Sequence, residues 1–253
     1  MHRDRPPARP KPRHVGAVLR FCVIVIVPLT SGLFRLRWRR LDRIPAAGPA
    51  IVVINHVSYA DPFIVARALW QSGRLPHFLT KASLFELPLV GSILRSAGQI
   101  PVQRATQVAA QSLGEAVAAL RRGEVVVIYP EGTVTRDDEF WPMSGKTGVA
   151  RLIRQLPDVP VVPVGQWGVQ EAVDVYHRRL RLLPRKIVTV SVGEPIDVGP
   201  YVSQPESAES LRTLTDVVMR AVRAEVADIR GRVAPEHFAA HPHGPGGDAG
   251  PLS

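Results

Sequence analysis

Short apolar runs alternate along the chain with longer segments of helical spacing. Residues 50–54 and 125–129 are almost entirely aliphatic, which is typical of strands buried on both faces. Less uniform runs predict further strands at residues 77–80, 99–102, 159–164 and 186–192. Apolar residues three and four positions apart predict helices at residues 62–72, 88–96, 108–121, 144–156 and 208–229. Strands that alternate with helices indicate an α/β fold, with a mostly parallel central sheet flanked by helices.

A polar turn follows the first of these strands. Residues 55–61, Asn-His-Val-Ser-Tyr-Ala-Asp, lie between that strand and Pro62. Asp61 and Pro62 predict a helix start, because aspartate is a favoured N-cap and proline fits the first helical position. Asp61 would then hydrogen-bond one imidazole nitrogen of His56 and leave the other nitrogen to accept a proton. The spacing alone also fits a second interpretation, in which Asp61 is only a helix cap and His56 only a turn residue.

Two more polar residues follow predicted strands. Arg104 comes after the strand at 99–102, and Glu131 lies in Pro-Glu-Gly-Thr directly after the strand at 125–129. In open α/β sheets, ligands bind beyond the carboxyl ends of the strands. His56, Arg104 and Glu131 are therefore expected to meet at one site. No thiol and no second histidine is close to His56 in the sequence, so the pattern does not predict a metal site.

The charge of the chain indicates an anionic partner. Its 253 residues carry a formal net charge of +10. Basic residues bracket the apolar stretch 15–34; they are Arg3, Arg5, Arg9, Lys11 and Arg13 before it, and Arg35, Arg37, Arg39, Arg40 and Arg43 after it. No pattern of aromatic residues interleaved with basic ones accompanies them, so a nucleic-acid partner is not predicted.

The apolar stretch itself favours a membrane surface. Its length would just span a bilayer as a helix, but Arg20, Pro28, Thr30 and Ser31 interrupt it, and both flanks are basic. We interpret it as a helix or helical hairpin in the cytoplasmic interface of the cell membrane, held on anionic lipid. A spanning helix and a soluble core helix are the alternatives. Cys22, the lone cysteine, lies in this stretch and fits an intracellular location.

The chain therefore divides into four parts. Residues 1–14 are rich in Pro, Arg and His, and residues 233–253 are rich in Gly, Pro and His; both compositions predict disorder. Residues 15–44 form the membrane-associated helical segment, and residues 45–232 form the α/β domain. His177, His237, His241 and His243 lack the spacing of metal ligands.

Four blocks, in this order, resemble the lysophosphatidic acid acyltransferases, the 1-acyl-sn-glycerol-3-phosphate acyltransferase family. The blocks are Asn55-His56 with Asp61, residues 98–104 (Gly-Gln-Ile-Pro-Val-Gln-Arg), residues 129–133 (Tyr-Pro-Glu-Gly-Thr) and residues 159–164 (Val-Pro-Val-Val-Pro-Val). The resemblance covers about residues 35 to 230 and implies that the α/β domain is an acyltransferase domain. It implies that His56 is the base that deprotonates a glycerol hydroxyl and that Asp61 orients it.

The resemblance also implies a reaction. A fatty acyl group would pass from acyl-CoA, or from acyl carrier protein, to the free hydroxyl of 1-acyl-glycerol-3-phosphate, forming phosphatidic acid in phospholipid biosynthesis. Acyl-CoA would be a substrate, and no cofactor, metal or acyl-enzyme is expected. Arg104, Glu131, Gly132 and Thr133 would form the acceptor pocket, with the rigid fork of Arg104 suited to phosphate. Glu131 is expected to contact glycerol hydroxyls or an arginine, since a carboxylate repels phosphate.

One position departs from the family pattern. The family often places an arginine directly after Glu-Gly-Thr, where this chain has Val134. Arg136 and Lys146 are the substitutes that we expect to contact the acceptor phosphate. Val134 also leaves open another acceptor for the same mechanism, either a different lysophospholipid or glycerol phosphate. A non-catalytic membrane-binding protein of the same fold is a further alternative.

Overall fold

The structure is a computed structural model that describes residues 16–102, 106–174, 176 and 179–239. The helices are α1 (Ala17–Leu33), α2 (Asp61–Gln71), α3 (Pro88–Ser96), α4 (Thr106–Arg121), α5 (Gly148–Gln155), α6 (Gly199–Val202) and α7 (Ala208–Arg230). The strands are β1 (Phe34–Arg39), β2 (Ala50–Ile54), β3 (Pro76–Lys81), β4 (Ile100–Val102), β5 (Val125–Ile128), β6 (Val161–Trp167), β7 (Val173–Asp174), β8 (Arg179–Leu180) and β9 (Lys186–Val192). Short 3-10 helices occupy Leu41–Arg43 and Ala82–Phe85.

Seven strands form the central sheet in the order β1-β9-β6-β2-β5-β3-β4. The pairing of β6 with β9 is antiparallel, and the other pairings in this sheet are parallel. Strands β7 and β8 form a separate two-stranded sheet. The predicted α/β fold with a mostly parallel central sheet is therefore confirmed.

Strand β2 lies in the middle of the sheet and is buried on both faces. Successive side chains of a strand point to opposite faces. Ala50, Val52 and Ile54 pack on the side of α2, while Ile51 and Val53 pack on the side of α4, α5 and α7. Helices thus cover both faces of the sheet, and the carboxyl end of β2 emerges between them.

Every predicted helix and strand is present, with some changes of boundary. Helix α3 and strand β9 have the predicted bounds. Helix α5 begins at Gly148 and not at residue 144, because the backbone N–H of Lys146 donates to the carbonyl of Pro130 (2.8 Å) in the loop after β5. Strand β6 continues to Trp167, three residues beyond its predicted end.

Strand β1 is not among the predicted strands. Its residues, Phe-Arg-Leu-Arg-Trp-Arg, lie within the predicted membrane-associated segment 15–44. Phe34 is buried, Leu36 and Trp38 are half-buried, and the arginines between them are exposed. This period of two is the pattern of a strand with one solvent face, and β1 is indeed an edge strand paired with β9. The arginines at every second position favoured the interpretation as the basic flank of a membrane segment over the alternating pattern of a strand.

Helix α1 packs against α2 and α3. The Nη1 atom of Arg67 in α2 donates to the carbonyl of Val27 (2.6 Å) and to the hydroxyls of Thr30 (2.7 Å) and Ser31 (2.6 Å) in α1. Arg185 donates to the carbonyl of Phe34 (2.7 Å), at the junction of α1 and β1. Among the residues that the structure describes, no helix has both the length and the hydrophobicity needed to cross a membrane.

The chain ends were predicted to be disordered. The arm at 1–14 and the tail after residue 239 lie outside the described residues. Residues 233–239 are described, and they contact the domain: the guanidinium of Arg223 lies 3.9 Å from the ring centroid of Phe238. The backbone N–H of Ser144 also donates to the carbonyl of Ala239 (3.3 Å).

Helix α7 packs directly on the backbone of β6. A Cβ added at Gly165 would lie 2.7 Å from the carbonyl carbon of Glu225 and 2.8 Å from the nitrogen of Val226. We expect Gly165→Ala to lower the free energy of unfolding by about 1–3 kcal/mol, because the backbone of α7 must shift. Gly114→Ala is the control: nothing lies within 4 Å of its added Cβ, and it should stabilise α4 by about 0.5–1 kcal/mol. Denaturant unfolding measures both, and equal effects would contradict the proposed packing.

Candidate active site

The turn between β2 and α2 brings His56 and Asp61 together. The Nδ1 atom of His56 lies 2.9 Å from Oδ2 of Asp61. Asp61 is fully buried, whereas 14% of the His56 side chain is exposed. A carboxylate accepts hydrogen bonds, so Nδ1 carries the hydrogen and Nε2 is the nitrogen that can accept a proton.

The prediction that Asp61 caps helix α2 is wrong. The N-cap position is Ala60, and no side chain caps the helix. The carboxylate of Asp61 turns back into the preceding turn, where Oδ2 accepts from the backbone N–H groups of Val57 (2.6 Å) and Ser58 (2.9 Å). Pro62 has no N–H of its own to be satisfied. Asp61 therefore orders the turn that carries His56.

Two amide side chains complete the surroundings of Asp61, and their roles were missed. The Nε2 atom of Gln166 donates to Oδ1 of Asp61 (2.6 Å). Asn55 holds the backbone of Gln166, accepting from its N–H (2.8 Å) and donating to its carbonyl (3.0 Å). All three residues are fully buried. The sequence signal was present in part, since Gln166 lies only two residues beyond the predicted end of β6.

Glu131 joins the loop after β5 to the histidine turn. Its Oε1 atom accepts from the backbone N–H of His56 (2.9 Å), and its Oε2 atom accepts from that of Met143 (2.9 Å). The backbone N–H of Thr135 donates to the carbonyl of His56 (2.7 Å), which adds a second link. The ring of Tyr129 lies beside the imidazole, with centroids 4.4 Å apart.

This placement differs from the expected role of Glu131 as a ligand of glycerol hydroxyls or a partner of an arginine. The side chain is fully buried, and both oxygens are occupied by backbone donors. No arginine hydrogen-bonds to it among the residues described. Burial raises the pKa of Glu131 to about 8, against the lowering effect of its two backbone donors. Glu131 therefore positions His56 through the backbone N–H of that residue.

Gly132 and Lys146 lie against each other at the end of β5. Gly132 has a φ of +69°, which favours glycine, and a Cβ there would lie 3.1 Å from Cε and 3.2 Å from Nζ of Lys146. The exposed Lys146 side chain thus crosses the Gly132 backbone. Thr133 follows in the same turn and is half-buried. The structure therefore brings the Glu-Gly-Thr turn and Lys146 together.

Of the other predicted phosphate ligands, the structure describes Arg136, which lies two residues after Val134. Val134 is buried, so its side chain does not face solvent. Arg136 is exposed and hydrogen-bonds to Tyr176, whose hydroxyl donates to the carbonyl of Val134 (2.8 Å). Arg104 lies outside the described residues. Within the described part of the chain, no cluster of three or more His, Cys, Asp or Glu side chains can hold a metal ion.

Comparison with known proteins identifies the family. A family model described as acyltransferase matches residues 35–167, which is more than half of the chain. The chain belongs to the acyltransferase family. The resemblance to 1-acyl-sn-glycerol-3-phosphate acyltransferases is confirmed, and members of this family are enzymes.

Three relatives illustrate the family. This acyltransferase is 24% identical, over 208 residues, to the 1-acyl-sn-glycerol-3-phosphate acyltransferase of Bacillus subtilis, covering 81% of this chain and 94% of that protein. It is 32% identical, over 165 residues, to the N-acylphosphatidylethanolamine synthase of Arabidopsis thaliana, covering 60% of this chain and 57% of that protein. The crystal structure of the 1-acyl-sn-glycerophosphate acyltransferase PlsC from Thermotoga maritima aligns with a TM-score of 0.61 and 22% identity, covering 85% of this chain and 81% of that one. This structural likeness supports the fold alone.

The raised pKa of Glu131 makes the stability of the acyltransferase depend on pH. The pKa is about 8 in the folded protein and 4.5 ordinarily. Between these two pH values, the folded state therefore holds a proton that the unfolded state has released. The stability contributed by this proton is fully present below the ordinary pKa and is lost as the pH rises through about 8. In the Glu131→Gln variant, the side chain at this position has no titratable group. We expect the stability of wild type relative to Glu131→Gln to fall with rising pH, by at most about 1.4 kcal/mol per pH unit.

Denaturant unfolding of both proteins between pH 5 and pH 9 measures this dependence. Parallel stability curves across that range would contradict the assigned protonation of Glu131.

Proposed function

We propose that this acyltransferase moves a fatty acyl group from a thioester, acyl-CoA or acyl carrier protein, to the free hydroxyl of 1-acyl-glycerol-3-phosphate. The product is phosphatidic acid. The observation that carries the proposal is the pair formed by Nδ1 of His56 and the carboxylate of Asp61 (2.9 Å). This pair leaves Nε2 as the proton acceptor of a side chain that is 14% exposed. The names of relatives such as the Bacillus protein support the acceptor.

In the proposed reaction, Nε2 of His56 removes the proton of the acceptor hydroxyl as its oxygen attacks the thioester carbonyl carbon. A C–O bond forms, and the C–S bond of the resulting tetrahedral intermediate breaks. The leaving thiolate takes the proton from the imidazolium, which restores the neutral base. The carboxylate of Asp61 stabilises the imidazolium between these two transfers. Direct attack by the acceptor requires no acyl-enzyme.

Basic residues at the edge of the site would bind the acceptor phosphate. Lys146 lies over Gly132 and is exposed, and Arg136 is exposed in the same loop. An arginine fork donates two parallel hydrogen bonds to phosphate, whereas a lysine acts as a point charge. Arg104 and Thr133 are the remaining candidates for the pocket. Glu131 acts through the position of His56 and does not contact the substrate.

A second acceptor for the same mechanism is favoured by one observation. Val134 is buried at the position where the family often has an arginine, so the phosphate pocket is built differently here. Another lysophospholipid, or glycerol phosphate, would then replace lysophosphatidic acid.

His56→Ala tests the mechanism. Loss of a general base costs about 10²–10⁴-fold in rate, so we expect turnover of purified His56→Ala to fall by at least that factor. His237→Ala is a matched control, because His237 is exposed in the segment after α7, and its turnover should equal wild type. The assay follows release of coenzyme A thiol with a panel of lysolipid acceptors and identifies each product by mass spectrometry.

Near-normal turnover by His56→Ala would contradict the proposed base. Thiol release that does not depend on any lysolipid would exclude acyl transfer to these acceptors, and release with a different acceptor would select the second alternative.

We also propose that α1 and α3 hold the enzyme on anionic lipid at the cytoplasmic face of the cell membrane. Both helices expose large apolar side chains: Phe21 (60%), Ile24 (70%) and Leu29 (54%) on α1, and Leu87 (48%) and Leu89 (74%) around the start of α3. The helices contact each other. Exposed Arg20 on α1 and Arg95 on α3 add positive charge for anionic headgroups.

The double variant Ile24→Asp, Leu89→Asp tests the membrane contact. Full burial of one such side chain contributes about 1.5–3 kcal/mol, so the variant should bind vesicles containing phosphatidylglycerol at least about tenfold more weakly. Val233→Asp is the control, since Val233 is 95% exposed after α7. Vesicle flotation measures the bound fraction, and unchanged binding of the double variant would refute the assignment of this surface.

A further inference from the structure

The carboxylate of Asp61 divides its partners unevenly between its two oxygens. Oδ2 accepts from Nδ1 of His56 and from two backbone N–H groups, those of Val57 and Ser58. Among the described residues, Oδ1 accepts one hydrogen bond, from Nε2 of Gln166 at 2.6 Å. The side chain is fully buried. Bulk water therefore cannot replace the Gln166 amide if that donor is removed.

Gln166 is itself fixed by the turn that carries the base. The backbone pairing of β2 with β6 ends at Ile54 and Val164. Beyond that point the side chain of Asn55 takes over and makes both hydrogen bonds to the backbone of Gln166. Asn55 directly precedes His56. The histidine, its carboxylate and the amide that holds the carboxylate therefore belong to one connected unit.

The chemistry of an amide suits this position. A lysine or arginine here would pair with the carboxylate and weaken its attraction for an imidazolium. A neutral amide satisfies Oδ1 and leaves the full negative charge to act on His56. We infer that Gln166 is a positioning residue of this acyltransferase, whose amide holds the Asp61 carboxylate against His56. The inference rests on the proposed role of His56 as general base.

Gln166→Met is the first test, because methionine has a similar length and no donor. A hydrogen bond to a charged group is worth enough to change a rate by about 10- to 100-fold. We expect kcat to fall by that factor while the KM values for acceptor and thioester stay unchanged. Gln170→Met is the matched control: Gln170 is buried four residues further along the chain, and its side chain accepts from the N–H of Gly168 (2.9 Å). An equal loss in Gln170→Met would overturn the inference.

Gln166→Glu supplies a readout that a purely structural role would not change. When protonated, the introduced carboxyl group donates to Oδ1 of Asp61 and replaces the amide. When ionised, it repels Asp61, and burial moves this ionisation toward neutral pH. We expect kcat of Gln166→Glu relative to wild type to be near one at acidic pH and to fall at least about tenfold as the pH rises. A ratio that is constant with pH would overturn the inference. This variant also decides the question if Gln166→Met does not fold.

A double variant separates this inference from the proposed function. If Gln166 acts through His56, Gln166→Met should cause no further loss in a His56→Ala background. Full activity of His56→Ala would refute the general base and, with it, this inference, whereas wild-type enzyme that transfers no acyl group to any lysolipid would refute the proposed function. An inactive His56→Ala together with a fully active Gln166→Met would refute only the role of Gln166.

Discussion

The buried carboxylate of Asp61 organises this site, and in the part of the chain that the structure describes its hydrogen-bond donors include no lysine or arginine. Asp61 is excluded from solvent, and burial of an acid without partners is strongly unfavourable. Its partners come from the turn that precedes it and from the neighbouring strand β6. The turn must wrap around the carboxylate to bring its N–H groups within reach. The position of His56 follows from this requirement, since the imidazole is one of the donors.

A second buried acid holds the histidine from the other side. Glu131 binds the backbone N–H of His56, whereas Asp61 binds its ring. The two acids therefore have separate tasks, one fixing the main chain and the other orienting the side chain. Both lie inside the domain, while Arg136 and Lys146 are exposed at the edge. An anionic substrate would meet positive charge first and would not face either buried acid.

Much of this arrangement could be predicted, for identifiable physical reasons. Strands β2 and β5 are aliphatic because they are buried on both faces, and parallel strands bring the residues that follow them to one edge of the sheet. Hence the meeting of His56 with the Glu131 turn was foreseeable. The role of Asp61 was harder to predict, because a helix cap and a ligand of the turn occupy almost the same position in sequence and differ in the direction of the side chain. Gln166 is 105 residues away from its partner, so no local pattern reveals the contact.

The junction between α1 and β1 has a mechanical consequence. Helix α1 ends at Leu33 and β1 begins at Phe34, so no linker separates the apolar helix from the edge strand of the sheet. Arg67 hydrogen-bonds to the end of α1, and Arg185 hydrogen-bonds to the carbonyl of Phe34 at the start of β1. An anchor on a flexible tether would let the catalytic domain tumble above a surface. Here the helix continues directly into the sheet, so a lipid surface bound by α1, as proposed above, would set the height and the tilt at which His56 meets it.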